Sequence, residues 1–421
     1  MKLLIKQALV VDPNSAFNGK KVDLLIENGS ISKIDSSLTI TADQIVTSPN
    51  LCISPGWVDC FANFADPGFE QKETLQTGAA AAAGGGFTDV LIIPNTNPVI
   101  HNKAGVEYIL HKSQHLPATI HPIGAITRNN EGKELAEMYD MKANGAIAFS
   151  DGLIGLQSAG LLIKALQYVK AIDAVIVQLP DDHSINPSGL ANEGITSTQL
   201  GLPGKPAIGE ELMVARDVAL CQYADSKLHL TAISTATSLD TIQKAKKNNS
   251  SISCSVTPYH LFFSEEDLVT YDTNLKVNPP LRTTTDRQAL QNAVRDGLVD
   301  CIASHHLPHE QDGKKVEFEH AQYGIIGLET SYAVTNSAVK GLTPHRTVEL
   351  FALNPRKIFG LPQPVIRENE KIRFTLFDPS ISWTPQADQL SSRSSNSPFL
   401  GKTLTGKVIG TLHPNLITLQ A

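Results

Sequence analysis

The stretch SPGWVDCFANFADPG, residues 54–68, sets three side chains on one strand face. In an extended chain, residues two apart point the same way, so Asp59, Phe61 and Asn63 face together. Two imidazoles at positions 61 and 63 would grip one metal ion, but here those positions hold a benzene ring and a carboxamide. A second cluster is SHHLPH, with His305, His306 and His309. Imidazoles gathered at a strand end can ligate a metal, and Asp151 of AFSDG could join them as an acid. Along a strand, His306 would turn away from His305, so only part of the set converges. Asp59 is expected to bond neighbouring backbone or side chains. Asp181, Asp182 and His183 are expected to form a solvated loop or a helix N-cap. TGAAAAAGGGFT offers neither a nucleophilic serine nor the Lys-Ser/Thr of a phosphate-cradling loop; its small residues suit tight helix-to-strand packing.

The elements that must position these groups follow a simple order. Residues 1–54 read as short strands, with Asn28-Gly29 a strong hairpin signal. From Pro55 onward, apolar strands such as FTDVLIIPNT, DAVIVQLP and SISCSVTP alternate with helical segments such as SAGLLIKALQYVKA and GEELMVARDVALCQYA. Repeated β-then-α units imply a parallel sheet, and eight strands imply a closed (β/α)8 TIM barrel over residues 55–359. After about Phe359 short strands return. The segments 1–54 and 360–421 are expected to meet in a small β-sandwich beside the barrel. QLSSRSSNSPF is polar and turn-rich and reads as a surface loop.

The 421 residues carry a net charge of −7, which gives no reason to expect nucleic acid. No apolar run approaches the ~20 residues that cross a bilayer, so no membrane association is expected. Five scattered cysteines, never in a CxxC pair, fit buried reduced thiols in a cytoplasmic protein.

DPGFEQKETLQTGAAAAAGGGFTDVLIIPNTNPV, GLPGKPAIGEELMVARD, VTPYHL, YDTNLKVNPPLRTTTDRQAL and YGIIGLET carry a family likeness. They resemble the corresponding stretches of dihydroorotases in the amidohydrolase superfamily, and the likeness runs nearly end to end. It implies the same barrel with a small β-sandwich, and a setting in pyrimidine biosynthesis. Members cyclise carbamoyl aspartate, or open the dihydroorotate ring, with zinc. The metal lowers the pKa of bound water from ~15.7 to about 7 and polarises the carbonyl.

Carried over motif by motif, the resemblance places the family's ligand positions on side chains of the wrong chemistry. The His-x-His pair falls on Phe61 and Asn63, and the arginine for the substrate carboxylate falls on Ala65. The histidines of the fifth and sixth strands fall on Leu179 and Ala232. The aspartate of the eighth falls on His305. Only Asp151 is retained. The expectation is therefore no cofactor, zinc being what the family would carry, and no catalytic residue. Asn95, Asn278, His309, Tyr323 and Gly324 match substrate-contacting positions. Either they still hold a small anion or ureide, or they keep loops in shape through Asn side-chain to backbone bonds.

Two functions remain open at this stage. One is an inactive dihydroorotase-like protein that assembles with aspartate carbamoyltransferase, as members lacking the metal ligands do, within a homo-oligomer. The other is an active dihydroorotase or related cyclic-amide hydrolase with a rearranged metal site built on Asp151 and His305.

Overall fold

A computed structural model describes residues 2–248 and 251–420. Eight strands form the barrel among these residues: Trp57–Ala62, Phe87–Ile92, Thr119–Gly124, Ala148–Phe149, Ile176–Gln178, Leu228–Leu230, Ile252–Val256 and Cys301–Ile302. They pair in sequence order, each parallel to the next. The ring closes where Ala62 bridges His306 and the Asn63 N–H donates to the His306 carbonyl at 2.8 Å. The first two strands are buried at every position, as expected of strands covered on both faces. Helices follow most strands, so the architecture is the (β/α)8 TIM barrel expected from the sequence.

Local chemistry explains the close packing around the first strand. Helix Leu75–Gly84 starts at a reciprocal cap between Thr74 and Thr77 and presents alanines to the barrel. At Gly78 a Cβ would lie 2.6 Å from the Phe64 ring, and at Gly85 2.2 Å from the Leu328 carbonyl oxygen. Small residues are what let the helix sit this close.

The two chain ends do meet. Strands from 2–55 and 374–419 hydrogen-bond into one eight-stranded, mostly antiparallel sheet. Asn28 and Gly29, both at positive φ, make the two-residue turn between strands Lys21–Glu27 and Ser30–Asp35. The sheet covers its own apolar cluster, including Ile5, Leu24, Ile53, Phe374 and Leu376. Trp57 joins it to the barrel. Its ring lies 5.0 Å from Tyr332 and Phe351 and 5.3 Å from Phe377 of the terminal sheet, and its indole N–H donates to Ser54 Oγ.

The segment read as a surface loop is one only in its first half, where Gln389, Ser391 and Arg393 are exposed. Ser394, Asn396 and Ser397 are buried. Ser394 Oγ donates to the Lys72 carbonyl, and the Arg393 N–H donates to Glu73. Asn396 Nδ2 donates to the carbonyls of Leu307 and Gly324. The C-terminal segment thus ties down three loops at the barrel mouth. All five cysteines are buried and free. Among the described residues no helix is long and apolar enough to cross a membrane.

Candidate functional site at the barrel mouth

The C-terminal ends of the barrel strands open on a cavity of about 440 Å³. Phe61, Asn63, Leu179 and His305 line it, together with Asn95, Asn278, His309, Tyr323 and Gly324. Asp151 and Ala232 lie outside that lining.

Each position that the resemblance assigns to a ligand has an occupation of its own. Phe61 is 1% exposed, and its ring stacks on the His305 imidazole at 4.3 Å and 17°. Leu179 and Ala232 are buried and bring no donor atom. Asn63 Oδ1 accepts from the Ala65 N–H at 2.7 Å. His305 Nε2 pairs with Thr231 Oγ1 at 2.7 Å, and burial pushes its pKa down to about 3, so the ring is neutral at pH 7.

Asp151 accepts three hydrogen bonds. Its Oδ1 accepts from the Ile126 and Thr127 N–H groups, both at 2.9 Å, and its Oδ2 accepts from Thr127 Oγ1 at 2.6 Å. Burial raises its pKa, and these bonds oppose the rise. The acid therefore organises the loop after the third strand. Asp151→Ala should lower stability by about 2–3 kcal/mol, because two buried N–H groups lose their acceptor. A urea midpoint equal to wild type would refute that structural role.

The two remaining histidines of the cluster go elsewhere. His306 Nε2 lies 3.2 Å from Glu73, and its Nδ1 accepts from the Gly327 N–H. His309 Nε2 donates to the Tyr323 carbonyl at 2.8 Å; its pKa falls to about 4 through burial and the nearby lysines 72 and 314. Asp59 accepts from the Ser304 N–H and Oγ, and burial pushes its pKa up to about 7. Asn95 bonds the Asp151 carbonyl through Nδ2 and the Leu153 N–H through Oδ1. Its Oδ1 leaves no room for a side chain at residue 152, where Gly152 has φ +66°.

Asp181 corrects a second sequence expectation. It is buried at the cavity wall rather than solvated. Lys205 Nζ donates to its Oδ2 at 2.6 Å and to Asn278 Oδ1 at 2.8 Å, while Asn278 Nδ2 donates back to Asp181 at 3.0 Å. Against the cost of burial, the His183 ring at 3.5 Å, Lys205 and Asn278 hold the Asp181 carboxyl well below the usual range. Sequence reading overlooked Lys205 and Lys72. The only signal was a lysine after the turn of GLPGK, on a two-residue strand that pairs back to Ala191–Asn192.

The comparisons with known proteins agree with this architecture. Residues 51–238 match the family described as "Dihydro-orotase-like". A dihydroorotase of Syntrophus aciditrophicus is 38% identical over 425 residues, covering 100% of both chains. A dihydroorotase of Pelotomaculum thermopropionicum is 37% identical over 100% of this chain and 99% of its own. Among solved structures, the L-hydantoinase (dihydropyrimidinase) of Arthrobacter aurescens superposes with a TM-score of 0.84 at 22% identity, over 99% of this chain and 95% of that one, which speaks to the fold.

This kinship corrects the expectation of no cofactor: end-to-end relatives are dihydroorotases, and metal dependence is the rule of that family. The narrower question is whether the ligand positions present here fit the zinc ion of the family, and they do not. Phe61, Leu179 and Ala232 carry no donor, while Asp151 and His305 spend donor atoms on Thr127 and Thr231. Among the described residues no group of three or more His, Cys, Asp or Glu side chains is placed to hold a metal ion. The barrel, its closure and the end-to-end identity place this chain in the dihydroorotase family.

Proposed function

We propose that this chain is a member of the dihydroorotase family in pyrimidine biosynthesis that does not turn over the ring, and that it acts in the cytoplasm as an assembly partner of aspartate carbamoyltransferase within an oligomer. The observation that carries the reading is the Phe61–His305 stack. It fills with two packed rings the place where ring opening needs an activated water. A barrel of this kind keeps its stability without a site, because its interior is packed side chains.

The reading of an active enzyme draws on the names of the relatives. It has to draw on the donor atoms that Asp151 and His305 keep beside their bonds to Ile126, Thr127 and Thr231.

The purified full-length chain, assayed with added zinc for dihydroorotate hydrolysis and for carbamoyl aspartate cyclisation, should show no turnover above the buffer. Coexpressed with the aspartate carbamoyltransferase of the same genome, it should co-elute on size exclusion. Turnover abolished by a chelator would overturn the first half, and separate elution the second.

A further inference from the structure

A ladder of polar side chains runs through the barrel interior. His229 on the sixth strand and Thr231 just beyond it are two residues apart, as are Ser253 and Ser255 on the seventh. The register sets His229 opposite Ser253, so alternate residues of the two strands share one face. A chain of four hydrogen bonds results. His229 Nδ1 lies 2.9 Å from Ser253 Oγ, and its Nε2 lies 3.0 Å from Ser255 Oγ. Ser255 Oγ donates to Thr231 Oγ1 at 3.0 Å, and Thr231 Oγ1 lies 2.7 Å from His305 Nε2. His229, Thr231 and Ser255 are 0% exposed.

Both ends of the chain reach open space. His305 lines the mouth cavity, and its Nδ1 has no hydrogen-bond partner among the described residues. Half-buried Ser253 lines a second cavity of about 380 Å³, where the strands begin at the opposite end of the barrel.

The bond from Ser255 to Thr231 fixes the order of the protons. A hydroxyl has one proton to donate, and so has a neutral imidazole. Burial keeps both rings neutral at pH 7. Ser255 has no second proton for His229, so His229 donates from Nε2 and its bare Nδ1 accepts from Ser253. Thr231 donates to His305 Nε2, which leaves the His305 proton on Nδ1.

The reverse order satisfies the same five groups. Reversal moves every proton one place. One leaves His305 Nδ1 for water in the mouth. Those of Thr231, Ser255, His229 and Ser253 each pass to the next group, and Ser253 takes one from water in the second cavity. Networks with two discrete arrangements are what can carry coupling between distant sites.

We propose that this chain is a two-state relay joining the two ends of the barrel: loss of the acceptor at the mouth reverses it, and the Ser253 hydroxyl then turns its proton to the second cavity. In the observed order Ser253 offers that cavity only lone pairs. By reciprocity, a group there that accepts from Ser253 favours the reversed order at the mouth. The relay stands for an inert barrel and an active one alike.

Proton–nitrogen correlation NMR of the full-length chain, isotope-labelled at histidine and held at pH 7, tells bare from protonated ring nitrogens; His229→Gln identifies the His229 signals. In the wild type His229 should carry its proton on Nε2. His305→Leu removes the acceptor of Thr231 and should move the proton to Nδ1, changing the ratio of the two forms at least tenfold, although His305 makes no hydrogen bond to His229. Thr231→Val frees the Ser255 proton for Nε2 and should act likewise, whereas Thr231→Ser should keep the wild-type form. If His305→Leu fails to fold, the nearly isosteric Thr231→Val decides. A wild-type His229 protonated on Nδ1 would overturn the proposal. So would an unchanged His229 in His305→Leu or in Thr231→Val, or a reversal in Thr231→Ser.

Discussion

Asp89→Ala should cost the fold about 3–5 kcal/mol, the range for breaking a buried ion pair from one side. Asp89 lies near the start of the second barrel strand, at the end opposite the mouth. Its Oδ1 accepts from Arg373 at 2.6 Å and pairs with His121 Nε2 at 2.9 Å. Its Oδ2 accepts from Arg356 at 2.6 Å and from Thr88 Oγ1 at 2.7 Å. Arg356 is 0% exposed and also donates to the carbonyls of Gly56 and Pro362. Burial alone would raise the Asp89 pKa, yet the guanidinium groups of Arg356 and Arg373 and the His121 ring hold it well below the usual range. Alanine removes the counterion and leaves the Arg356 charge in the interior, where an unpaired charge costs far more than the pair itself contributes. Arg356→Met in the same background should recover part of the loss, because the stranded charge goes with it. Urea midpoints for the two single variants and the double variant measure this. Strictly additive losses would show that the two groups do not act as a unit.

The barrel was legible because its strands must be apolar on both faces and must alternate with helices; FTDVLIIPNT and SISCSVTP have no other comfortable reading. The hairpin at Asn28-Gly29 was legible because few residue pairs accept positive φ twice in succession. The chemistry of single side chains was legible: a phenyl ring at position 61 excludes coordination whatever its neighbours. What that ring packs against was not legible. His305 lies 244 residues from Phe61, and only barrel closure brings the rings together.

The polar segment near the C-terminus misled for a related reason. Serine and asparagine mark turns equally well when their partners are water or distant loops. Ser392 and Arg393 bond Glu73, more than 300 residues earlier, and no local pattern announces it. An acid after a strand reads as part of a solvated loop or as a helix N-cap, and Asp181 is neither. Its burial depends on Lys205, 24 residues on, whose strand folds back across the cavity. In each case the missing information was a long-range polar pairing, which composition and periodicity do not encode.

Acidification should unfold this protein steeply, at about 3 kcal/mol per pH unit near pH 5. Five histidines are buried in neutral form. Burial lowers His229, His260 and His305 to about 3, and His309 and His413 to about 4, from an ordinary 6.5. Burial keeps these rings neutral, and the carbonyls facing His260 and His309 only partly oppose it. His229 sits between Ser253 Oγ and Ser255 Oγ, and His260 between Thr257 Oγ1 and the Pro279 carbonyl. Their contribution is whole above pH 6.5 and is lost as the pH falls toward 4, since the unfolded chain takes up protons the folded one refuses. Three acids act in the opposite sense. Burial raises Asp59 and Glu329 to about 7 and Asp217 to about 6, so they favour the fold below their unfolded values and lose that effect as the pH rises through 6 to 7. Near pH 5, unfolding therefore takes up about five protons at the histidines and releases about three at the acids. The balance of about two sets the slope, and the histidines win. Urea midpoints at pH 7 and pH 5 should differ accordingly, and His305→Gln should flatten the dependence by about 1.4 kcal/mol per pH unit, the share of one proton. A midpoint that holds steady or rises on acidification would mean that these rings are charged in the folded state. The neutral His305 against Phe61, on which the reading of the barrel mouth depends, would then fall with it.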